Sequence, residues 1–455
     1  MYYKFISLLC SLLILILMST KKESKYNYRI TTSDNIIWFN GLSRCYFKVA
    51  HKLSDRIQNL LRDNKISSLK KNSPNFYNQL VKSGFIVDDK FDEFSIIKSR
   101  YNDAVNERNY FLIILPTVNC NYKCWYCYQQ HLPSHMSTET MEKIKKHISY
   151  VIKNFQITSL HIEWFGGEPF MYYNDVIKPL SQFAQILCRE NNIQFRNTAT
   201  TNGYYINSTI QKSMKSIEIS QLQLTLDGLQ DVHDQVKYAG ENRSAFSISL
   251  SNMEQYLTLN ETFRLYLRLN YTRENLSKEI VSQVNNFISV KNRSRVDVFF
   301  RKVWQESVDR GRVSLITEIS QLFRDSGYQT PVMNDLNLDF KTCYADKRFF
   351  NTINWNGDVL KCTADEKTLY TNNPPGKLKA DGQIEWQQGF LEDYYKIRFE
   401  CDNCMECKHL PICMGRCPKS SEYLDGKRYC KMSLGDFSIE DSILQYISEV
   451  ERYNI

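Results

Sequence analysis

Three cysteines within eight residues constrain this chain more than any other feature. They lie in the segment Cys120-Asn-Tyr-Lys-Cys124-Trp-Tyr-Cys127, directly after an apolar run at residues 110–117. The run has the length of a short buried strand, so the cysteines fall on the loop at its C-terminal end. Three thiolates on one loop can converge on one soft metal centre. A closed zinc site takes four protein ligands and an iron–sulfur cubane usually takes four cysteines, so three would leave one iron of a cubane open.

Length and charge narrow the class of protein. The chain has 455 residues, of which 42% are hydrophobic and 24% charged, which is typical of a globular protein with two or three domains. The net charge of +8, from 58 basic and 50 acidic residues, is mild and dispersed. We therefore expect no nucleic-acid partner, whereas a moderately basic groove for an acidic peptide would fit equally well.

From residue 110 onward, predicted strands and helices alternate. Each strand is a short run of alternating or continuous apolar residues, and helical periodicity or turn residues follow it. The six predicted strands lie at 110–117, 159–165, 194–200, 220–226, 263–271 and 296–301. Regular alternation of this kind predicts a parallel sheet. Six repeats suit an α/β fold of the partial (β/α)6 TIM-type barrel, in which loops at the strand C-termini build the site.

Helix signals support this arrangement. Ser137 is placed to cap a helix whose apolar face runs to Phe155. Further helices are predicted near 174–190, 209–216 and 277–289, and a last one at 438–451. After about residue 340, regular segments become short and cysteine, glycine and asparagine interrupt them, so we expect an irregular region that needs a metal staple.

The N-terminal part divides into an apolar run and a small unit. The run at residues 5–18 is too short for a comfortable membrane span. It is interpreted as a leader from a mis-chosen start, as an anchor that leaves the chain on the cytoplasmic side, or as a secretory signal. Clustered reduced cysteines favour the cytoplasm. Residues 26–105 then show a hairpin, helices near 54–63 and 74–83, and a strand at 84–88, which together predict a winged-helix-like unit.

The cysteine loop resembles that of the radical S-adenosylmethionine (radical SAM) superfamily, including the aromatic Tyr126 before the last cysteine. The resemblance implies that Cys120, Cys124 and Cys127 hold a [4Fe–4S] cluster whose fourth iron binds SAM. It further implies that reduction of this cluster splits SAM into methionine and a 5′-deoxyadenosyl radical, which abstracts a hydrogen from the substrate. An incomplete zinc site is the alternative interpretation.

The segment Gly166-Gly167-Glu168 ends the next predicted strand and resembles the GGE motif of the same family. The resemblance implies that Gly166 and Gly167 let the backbone approach the cofactor and that Glu168 meets the methionyl ammonium of SAM. Polar segments ending later strands resemble cofactor-contacting segments of relatives, although each is equally well explained as a turn. They are Thr201-Asn202-Gly203 and Asp227-Gly228. His233-Asp234 is interpreted as a helix start rather than a catalytic pair, and no catalytic residue is assigned.

The C-terminal cysteines resemble the seven-cysteine SPASM extension of radical SAM enzymes, which carries two auxiliary [4Fe–4S] clusters. The resemblance implies one cluster on Cys404, Cys407, Cys413 and Cys430. It implies the other on Cys343, Cys362 and Cys417. The fourth ligand of the second cluster is either Cys401 or a substrate thiolate, or its iron stays open. Zinc is the alternative metal, because CxxC pairs also occur in zinc ribbons.

Together these resemblances predict a radical SAM/SPASM maturase of ribosomally synthesised precursor peptides (RiPPs). The N-terminal unit would bind the precursor's leader as an added strand, and residues 84–93 resemble the segment that precedes the radical SAM core there. Predicted domains are 1–25, 26–105, 106–335, 336–435 and a helix at 436–455. The expected product is a thioether or carbon–carbon crosslink, and the expected reductant is a flavodoxin or ferredoxin.

Two other functions stay open. An anaerobic sulfatase-maturating enzyme has the same layout, but its branch carries Asp directly after the cysteine that corresponds to Cys362, whereas this chain has Thr363 there and Asp365 two residues on. A zinc-stabilised binding protein without catalysis is the candidate from another class.

Overall fold

The computed structural model of the protein describes residues 20–62, 65–331, 342–364, 369–396, 402–415 and 435–453. The predicted apolar run at 5–18 and Asp365 lie outside these ranges. The predicted cluster cysteines Cys417 and Cys430 and the unassigned Cys401 lie outside them as well. Within the described ranges, no helix has both the length and the apolar character needed to cross a bilayer.

The N-terminal unit contains five short strands and four helices. The strands are β1 (Lys21–Glu23), β2 (Asn27–Thr31), β3 (Ile36–Asn40), β4 (Tyr46–Val49) and β5 (Ile86–Asp88). The helices are His51–Arg62, Ile66–Asn72, Pro74–Lys82 and Glu93–Val105. The sequence predicted a hairpin, and the structure adds a third strand, since β2, β3 and β4 form one antiparallel sheet. Because β1 pairs with β5, the unit begins before residue 26.

The predicted parallel sheet is confirmed, and its strands lie side by side in chain order. They are β6 (Asn109–Ile114), β7 (Ser159–Trp164), β8 (Gln194–Thr201), β9 (Ile219–Leu226), β10 (Arg264–Tyr271) and β11 (Val296–Lys302). Every neighbouring pair among these six is parallel. The carboxyl ends of all six strands therefore meet along one rim, as the (β/α)6 interpretation requires.

The two faces of this sheet differ in chemistry. Leu160, Ile162 and Trp164 of β7 point to the outer face, where they are fully buried in the main hydrophobic core with the covering helices. The alternating residues His161 and Glu163 point to the inner face and are only partly buried. Along β7, this period of two places apolar side chains on the outer face and polar side chains on the concave face. On the neighbouring β6, Phe111 stacks on His161, so the concave face also contains apolar side chains.

Helices cover the outer face of the sheet. They are Thr138–Phe155, Lys178–Glu190, Ser208–Ser216, Gln230–Val236, Ala245–Leu259, Ile280–Asn285, Val290–Arg293 and Arg312–Asp325, with a π-helical turn at Tyr173–Ile177. Ser137 caps the first of them as predicted, because its side chain accepts the N–H of Thr140. The helix predicted near 277–289 is shorter than expected and covers only Ile280–Asn285. After a turn, a second short helix follows at Val290–Arg293, with Ser289 at its N-cap position.

The C-terminal region continues the sheet through short strands. They are β12 (Phe350–Ile353), β13 (Asp358–Leu360), β14 (Gly376–Leu378) and β15 (Ile384–Trp386). β12 pairs in parallel with β6, on the side opposite β7. Short helices at Phe390–Lys396, Asp402–Met405 and Leu410–Cys413 precede the last helix, Ile439–Tyr453. The segment after residue 340 is thus irregular, as expected, but it is built onto the barrel sheet.

A buried carboxylate fastens the start of the last helix to the barrel rim. Asp436 is 1% exposed and accepts hydrogen bonds from Tyr271 Oη at 3.0 Å and from the Asp309 backbone N–H at 2.8 Å. Lys302 and Arg312 lie 3.7 and 3.8 Å from its oxygens. Because both strand ends β10 and β11 contribute, this contact fixes residues 435–453 against the edge of the parallel sheet.

We expect Asp436→Ala to release the last helix. Removing one partner of a buried charge group leaves its cations uncompensated, which costs about 3–5 kcal/mol. Hydrogen exchange should then show loss of protection across Ile439–Tyr453, together with a lower Tm. Glu318→Ala is the control, since Glu318 pairs with Lys278 on the surface and such pairs contribute about 0–1 kcal/mol. Equal protection of the helix in both variants would contradict the role given to Asp436.

Candidate active site

The predicted site residues gather at the rim formed by the ends of β6 to β10. The cysteine loop follows β6, the Gly166-Gly167-Glu168 segment follows β7, and Thr201 and Asp227 stand at the ends of β8 and β9. Strand register places these ends next to one another. The fold therefore brings together all the segments that the sequence singled out within residues 120–228.

A backbone clasp joins the loop after β7 to the start of the cysteine loop. Gly167 N–H donates to Thr117 O at 3.2 Å, and Glu168 N–H donates to Asn119 O at 2.9 Å. A Cβ on Gly166 would lie 2.2 Å from Thr117 O, and one on Gly167 would lie 1.9 Å from Asn119 O. Both glycines are thus required by the approach of two protein backbones directly before Cys120.

Glu168 is a fully buried carboxylate. Its Oε1 accepts the Phe170 N–H at 3.0 Å and the Thr201 hydroxyl at 2.8 Å, and its Oε2 accepts the Asn202 N–H at 2.8 Å. Burial raises the pKa of Glu168 to about 7 even though these hydrogen bonds oppose the shift. Glu168 therefore ties the ends of β7 and β8 together, and only Oε2 retains evident capacity for another donor.

Amide groups surround Cys120. Asn202 Nδ2 donates to Asn121 Oδ1 at 2.8 Å and lies 3.8 Å from Cys120 Sγ. The Tyr122 N–H donates to the same sulfur at 3.4 Å. Among the described residues, buried Asn121 Nδ2 has no hydrogen-bond partner. This unpaired N–H donor beside Cys120 could donate to the sulfur atoms of a bound cluster, so it fits such a site.

Tyr126 connects the cysteine loop to the ends of β9 and β10. Its hydroxyl donates to Asp227 Oδ1 at 2.5 Å, and Asn270 Nδ2 donates to both groups at 3.1 Å. Lys237 Nζ forms an ion pair with Asp227 Oδ2. Burial is the largest single influence and would raise the pKa of Asp227, but the charge of Lys237 and the hydrogen bonds from Lys237 and Tyr126 together bring the pKa below its usual value. The carboxylate is therefore charged and anchors the tyrosine.

The pair His233-Asp234 does not act together. His233 Nδ1 lies 3.6 Å from Asp227 Oδ2 and faces the Asp227 N–H at 3.2 Å. Burial, followed by the nearby Lys237, lowers the pKa of His233 to about 3, so its ring is neutral. Asp234 instead accepts the N–H of Phe246 at 2.9 Å, at the start of the next helix. The interpretation as a structural pair agrees with these contacts.

Several residues at the site escaped the sequence reasoning. His131 Nε2 lies 3.2 Å from Cys127 Sγ, and Tyr370 accepts the Gln130 N–H at 2.9 Å, which ties the cysteine loop to the C-terminal region. Asn270 could have been found from its place at the end of β10. His131 carries no sequence signal beyond its position four residues after Cys127.

The concave face below the rim is lined by polar side chains that pair across strands. His161 Nε2 lies 2.7 Å from Thr198 Oγ1, and Thr200 Oγ1 donates to Glu163 Oε1 at 3.1 Å. On β10, Arg268 Nε donates to Asn270 Oδ1 at 2.7 Å. Asn270 in turn contacts Tyr126 and Asp227. A polar lumen of this kind suits a hydrogen-bonding substrate rather than an apolar one.

The described C-terminal cysteines fall into two places. Cys404, Cys407 and Cys413 share one short segment, in which the His409 N–H donates to Cys407 Sγ and the Gly415 N–H donates to Cys413 Sγ, both at 3.4 Å. Cys343 and Cys362 flank the β12–β13 hairpin. Their predicted companions Cys417 and Cys430 lie outside the described residues.

The donors present at the rim fit an iron–sulfur cluster loop. Three thiols follow one strand end, a backbone N–H is directed at Cys120 Sγ, and His131 faces Cys127 Sγ. Hydrogen bonds to the sulfurs are a normal part of such sites. Among the residues that the structure describes, no three His, Cys, Asp or Glu side chains are grouped so that they could hold a single metal ion.

A three-cysteine loop at the carboxyl rim of a partial parallel barrel defines the class of protein. Residues 114–255 match the family model of the radical SAM superfamily. This stretch of the chain is therefore a radical SAM domain. The family implies a SAM-binding [4Fe–4S] cluster and SAM itself as cofactors.

Particular relatives are distant in sequence. The chain is 20% identical over 379 residues to the radical SAM cyclopropyl synthase TigE of Paramaledivibacter caminithermalis, covering 75% of each chain. It resembles the structure of Streptococcus suis SuiB bound to the precursor peptide SuiA, with a TM-score of 0.53 and 16% identity over 92% of this chain and 100% of SuiB. It also resembles anSMEcpe with bound AdoMet and Cp18Cys peptide, with a TM-score of 0.51 and 15% identity over 75% and 97% of the two chains.

We expect Gly167→Ala to prevent binding of the [4Fe–4S] cluster that the family implies on Cys120, Cys124 and Cys127. A methyl group 1.9 Å from Asn119 O must push the two backbones apart, and this moves Cys120 away from Cys124 and Cys127. Iron analysis after anaerobic reconstitution should show a loss of about four atoms per chain, the content of one cubane. Gly435→Ala is the matched control, because its nearest atom would lie 3.8 Å away. Unchanged iron in Gly167→Ala would contradict the clasp.

Proposed function

We propose that this radical SAM enzyme is a SPASM-type peptide maturase that installs a thioether or carbon–carbon crosslink in a ribosomally synthesised precursor. The observation that carries the proposal is the union of three parts in one chain. A cysteine loop stands at the barrel rim, a second cysteine segment lies at 404–413, and a three-stranded unit precedes the barrel. The relatives whose names include a cyclopropyl synthase and complexes with peptides support this choice.

In this proposal Cys120, Cys124 and Cys127 hold the SAM-binding cluster. When bound, the cluster and SAM supply a 5′-deoxyadenosyl radical that abstracts a hydrogen atom from the peptide. Among the described residues, Oε2 of Glu168 accepts the Asn202 N–H alone, and it would accept the methionyl ammonium. Thr201 and Asn202 hold Glu168 in place, and Asn202 also reaches toward Cys120.

Tyr126 and Asp227 act on the far side of the same loop. The phenol is fixed by Asp227 and Asn270, so the ring of Tyr126 is held rigidly between the second and third cysteines. Lys237 balances the buried charge of Asp227. These residues would form the wall against which the cofactor packs, while Gly166 and Gly167 set the height of the cysteine loop.

The polar lumen would take the peptide. Partly buried side chains such as Glu163, Thr200 and Arg268 offer both donors and acceptors to backbone amides. The precursor's leader would dock on the N-terminal sheet as an added strand, for which β2 and β4 are the two outer strands. Two auxiliary [4Fe–4S] clusters on the C-terminal cysteines would take the second electron or bind the substrate. A flavodoxin or ferredoxin would supply the first.

The sulfatase-maturating alternative is less well supported. Thr363, directly after Cys362, is buried and its hydroxyl lies 2.9 Å from Tyr344 Oη. A hydroxyl at this position cannot act as the carboxylate base that this branch is thought to use. No observation favours the alternative over the maturase.

Metal analysis and SAM cleavage test the proposed chemistry together. Anaerobically reconstituted protein should contain about twelve iron and twelve sulfide atoms per chain for three cubanes, and with SAM and dithionite it should release 5′-deoxyadenosine. Cys124→Ala should abolish that release and retain about eight iron atoms. A few zinc atoms without sulfide would identify the binding-protein alternative, and absence of 5′-deoxyadenosine from fully loaded protein would rule out the proposed reaction.

The product distinguishes the two maturation reactions. A peptide crosslink should remove two hydrogen atoms and suppress fragmentation between the two linked residues in tandem mass spectra. Formylglycine would confine the change to one residue and react with aldehyde reagents. Coexpression with a short precursor encoded beside this chain, compared with a sulfatase peptide, gives the comparison.

Glu168 should act through its charge as well as through its hydrogen bonds. We expect Glu168→Gln to weaken SAM binding at least tenfold, which corresponds to about 1.4 kcal/mol, because an amide cannot neutralise an ammonium. Thr201→Val removes one hydrogen bond to Glu168 and keeps the charge, so it should bind SAM within about threefold of the parent, because the carboxylate that meets the ammonium remains. Equilibrium dialysis with iron content matched makes the comparison. Equal weakening in both variants would show that Glu168 only braces the loops.

A further inference from the structure

The N-terminal unit packs directly on the segment that carries Cys404, Cys407 and Cys413. One contact is apolar. Tyr26, Leu42 and Ile97 of the unit share a buried cluster with Leu410 and Met414, and Cys404 packs against it. A second apolar cluster joins the outward face of the three-stranded sheet to Ile412 and to the last helix; it contains Tyr28, Ile30, Ile37, Phe39, Ile443 and Ile447. The segment that carries Cys404, Cys407 and Cys413 thus packs against the N-terminal unit through both apolar clusters.

Polar contacts fix the register of this interface. Arg44 Nη2 donates to Pro411 O at 2.9 Å, between Cys407 and Cys413. Lys25 Nζ donates to Met405 O at 3.1 Å and pairs with Glu406 at 2.8 Å. Two loops of the N-terminal unit, the one before β2 and the one before β4, therefore reach the segment between Cys404 and Cys413.

Tyr28, on the outer strand β2, makes the contact closest to the sulfurs. It is 2% exposed, and its hydroxyl lies 2.7 Å from His409 Nδ1 and 3.3 Å from Lys408 O. The ammonium of Lys408 lies 4.4 Å from the centroid of the Tyr28 ring. The backbone N–H of the same His409 donates to Cys407 Sγ at 3.4 Å. A two-residue path thus leads from the N-terminal sheet to a predicted cluster ligand.

We propose that the N-terminal unit forms one wall of the auxiliary-cluster site, and that Tyr28 is a positioning residue that sets the reduction potential of that cluster through His409. The inference rests on the auxiliary cluster in the proposed function. Cluster potentials depend on hydrogen bonds to the sulfurs and on solvent exposure. Tyr28 acts on both, because it holds the N–H donor of His409 in place and covers the segment with a buried ring.

The test uses full-length protein reconstituted anaerobically, with Cys120, Cys124 and Cys127 replaced by alanine so that only auxiliary clusters remain. An EPR-monitored redox titration gives their midpoint potentials. Tyr28→Phe retains the ring and the contact with Lys408 but removes the hydroxyl. We expect one auxiliary midpoint to move to a more negative potential, because the weaker hydrogen bond to Cys407 Sγ stabilises the reduced cluster less, with iron content unchanged.

Tyr46→Phe is the matched control. Tyr46 lies in the same sheet and its hydroxyl also reaches the C-terminal part, but it donates to Glu451 at 3.2 Å on the last helix. It should leave both midpoints at the parent value. His409→Ala should reproduce the shift of Tyr28→Phe, and the double variant should show no larger shift, since both changes break one path.

The outcomes separate this inference from the proposed function. Parent midpoints in Tyr28→Phe, or an equal shift in Tyr46→Phe, would overturn the role of Tyr28 while the clusters stand. If Cys407→Ala retained all the iron of the parent, the assignment of an auxiliary cluster to Cys407 would be wrong. That result would contradict both this inference and the corresponding part of the proposed function.

Discussion

Two backbone hydrogen bonds hold the site together. Gly167 and Glu168 donate to the carbonyls of Thr117 and Asn119, and this clasp is possible only because neither glycine carries a Cβ. The cysteine loop has little regular structure of its own, so its height above the barrel is set by its neighbour on β7. The clasp also directs Glu168 inward, where it reaches the end of β8. The same clasp thus positions both the loop of three cysteines and the buried carboxylate of Glu168.

Two buried carboxylates, Glu168 and Asp227, lie on either side of the cysteine loop. Glu168 is buried with neutral donors alone among its described contacts, whereas Asp227 has the ammonium of Lys237 beside it. A buried carboxylate without a cation is costly, and a ligand ammonium would relieve that cost. Asp227 is already compensated, so it serves the loop by fixing Tyr126. The two carboxylates, which follow β7 and β9, therefore have different parts in the proposed function.

Much of this architecture follows from the sequence, because parallel strands buried on one face repeat a simple pattern. Five of the six barrel strands were predicted to within one residue and the first to within three, and Ser137 was recognised as a helix cap. The helix predicted at 277–289 is shorter in the structure, where it covers Ile280–Asn285. The apolar spacing of the sequence continues across the turn that follows, and this turn depends on packing against the barrel.

The site was predictable only in part. The cysteines, Glu168 and Asp227 carry motif signals, but the sequence assigned Gly166 and Gly167 to contact with the cofactor, and the structure shows in addition their contact with the backbone at 117–119. His131 and Asn270 belong to no motif, and their contacts with Cys127 and Tyr126 depend on the folded structure. The contact of Tyr28 with His409 joins residues 381 positions apart, which no local pattern encodes.

In the proposed function, the clasped loop holds a cluster with one iron open to SAM. EPR spectra of the dithionite-reduced protein, recorded with and without SAM, test this open iron. We expect a SAM-dependent change in the cluster signal that persists in Cys407→Ala and disappears in Cys124→Ala. A spectrum that SAM leaves unchanged, or a change that survives the loss of Cys124, would contradict it.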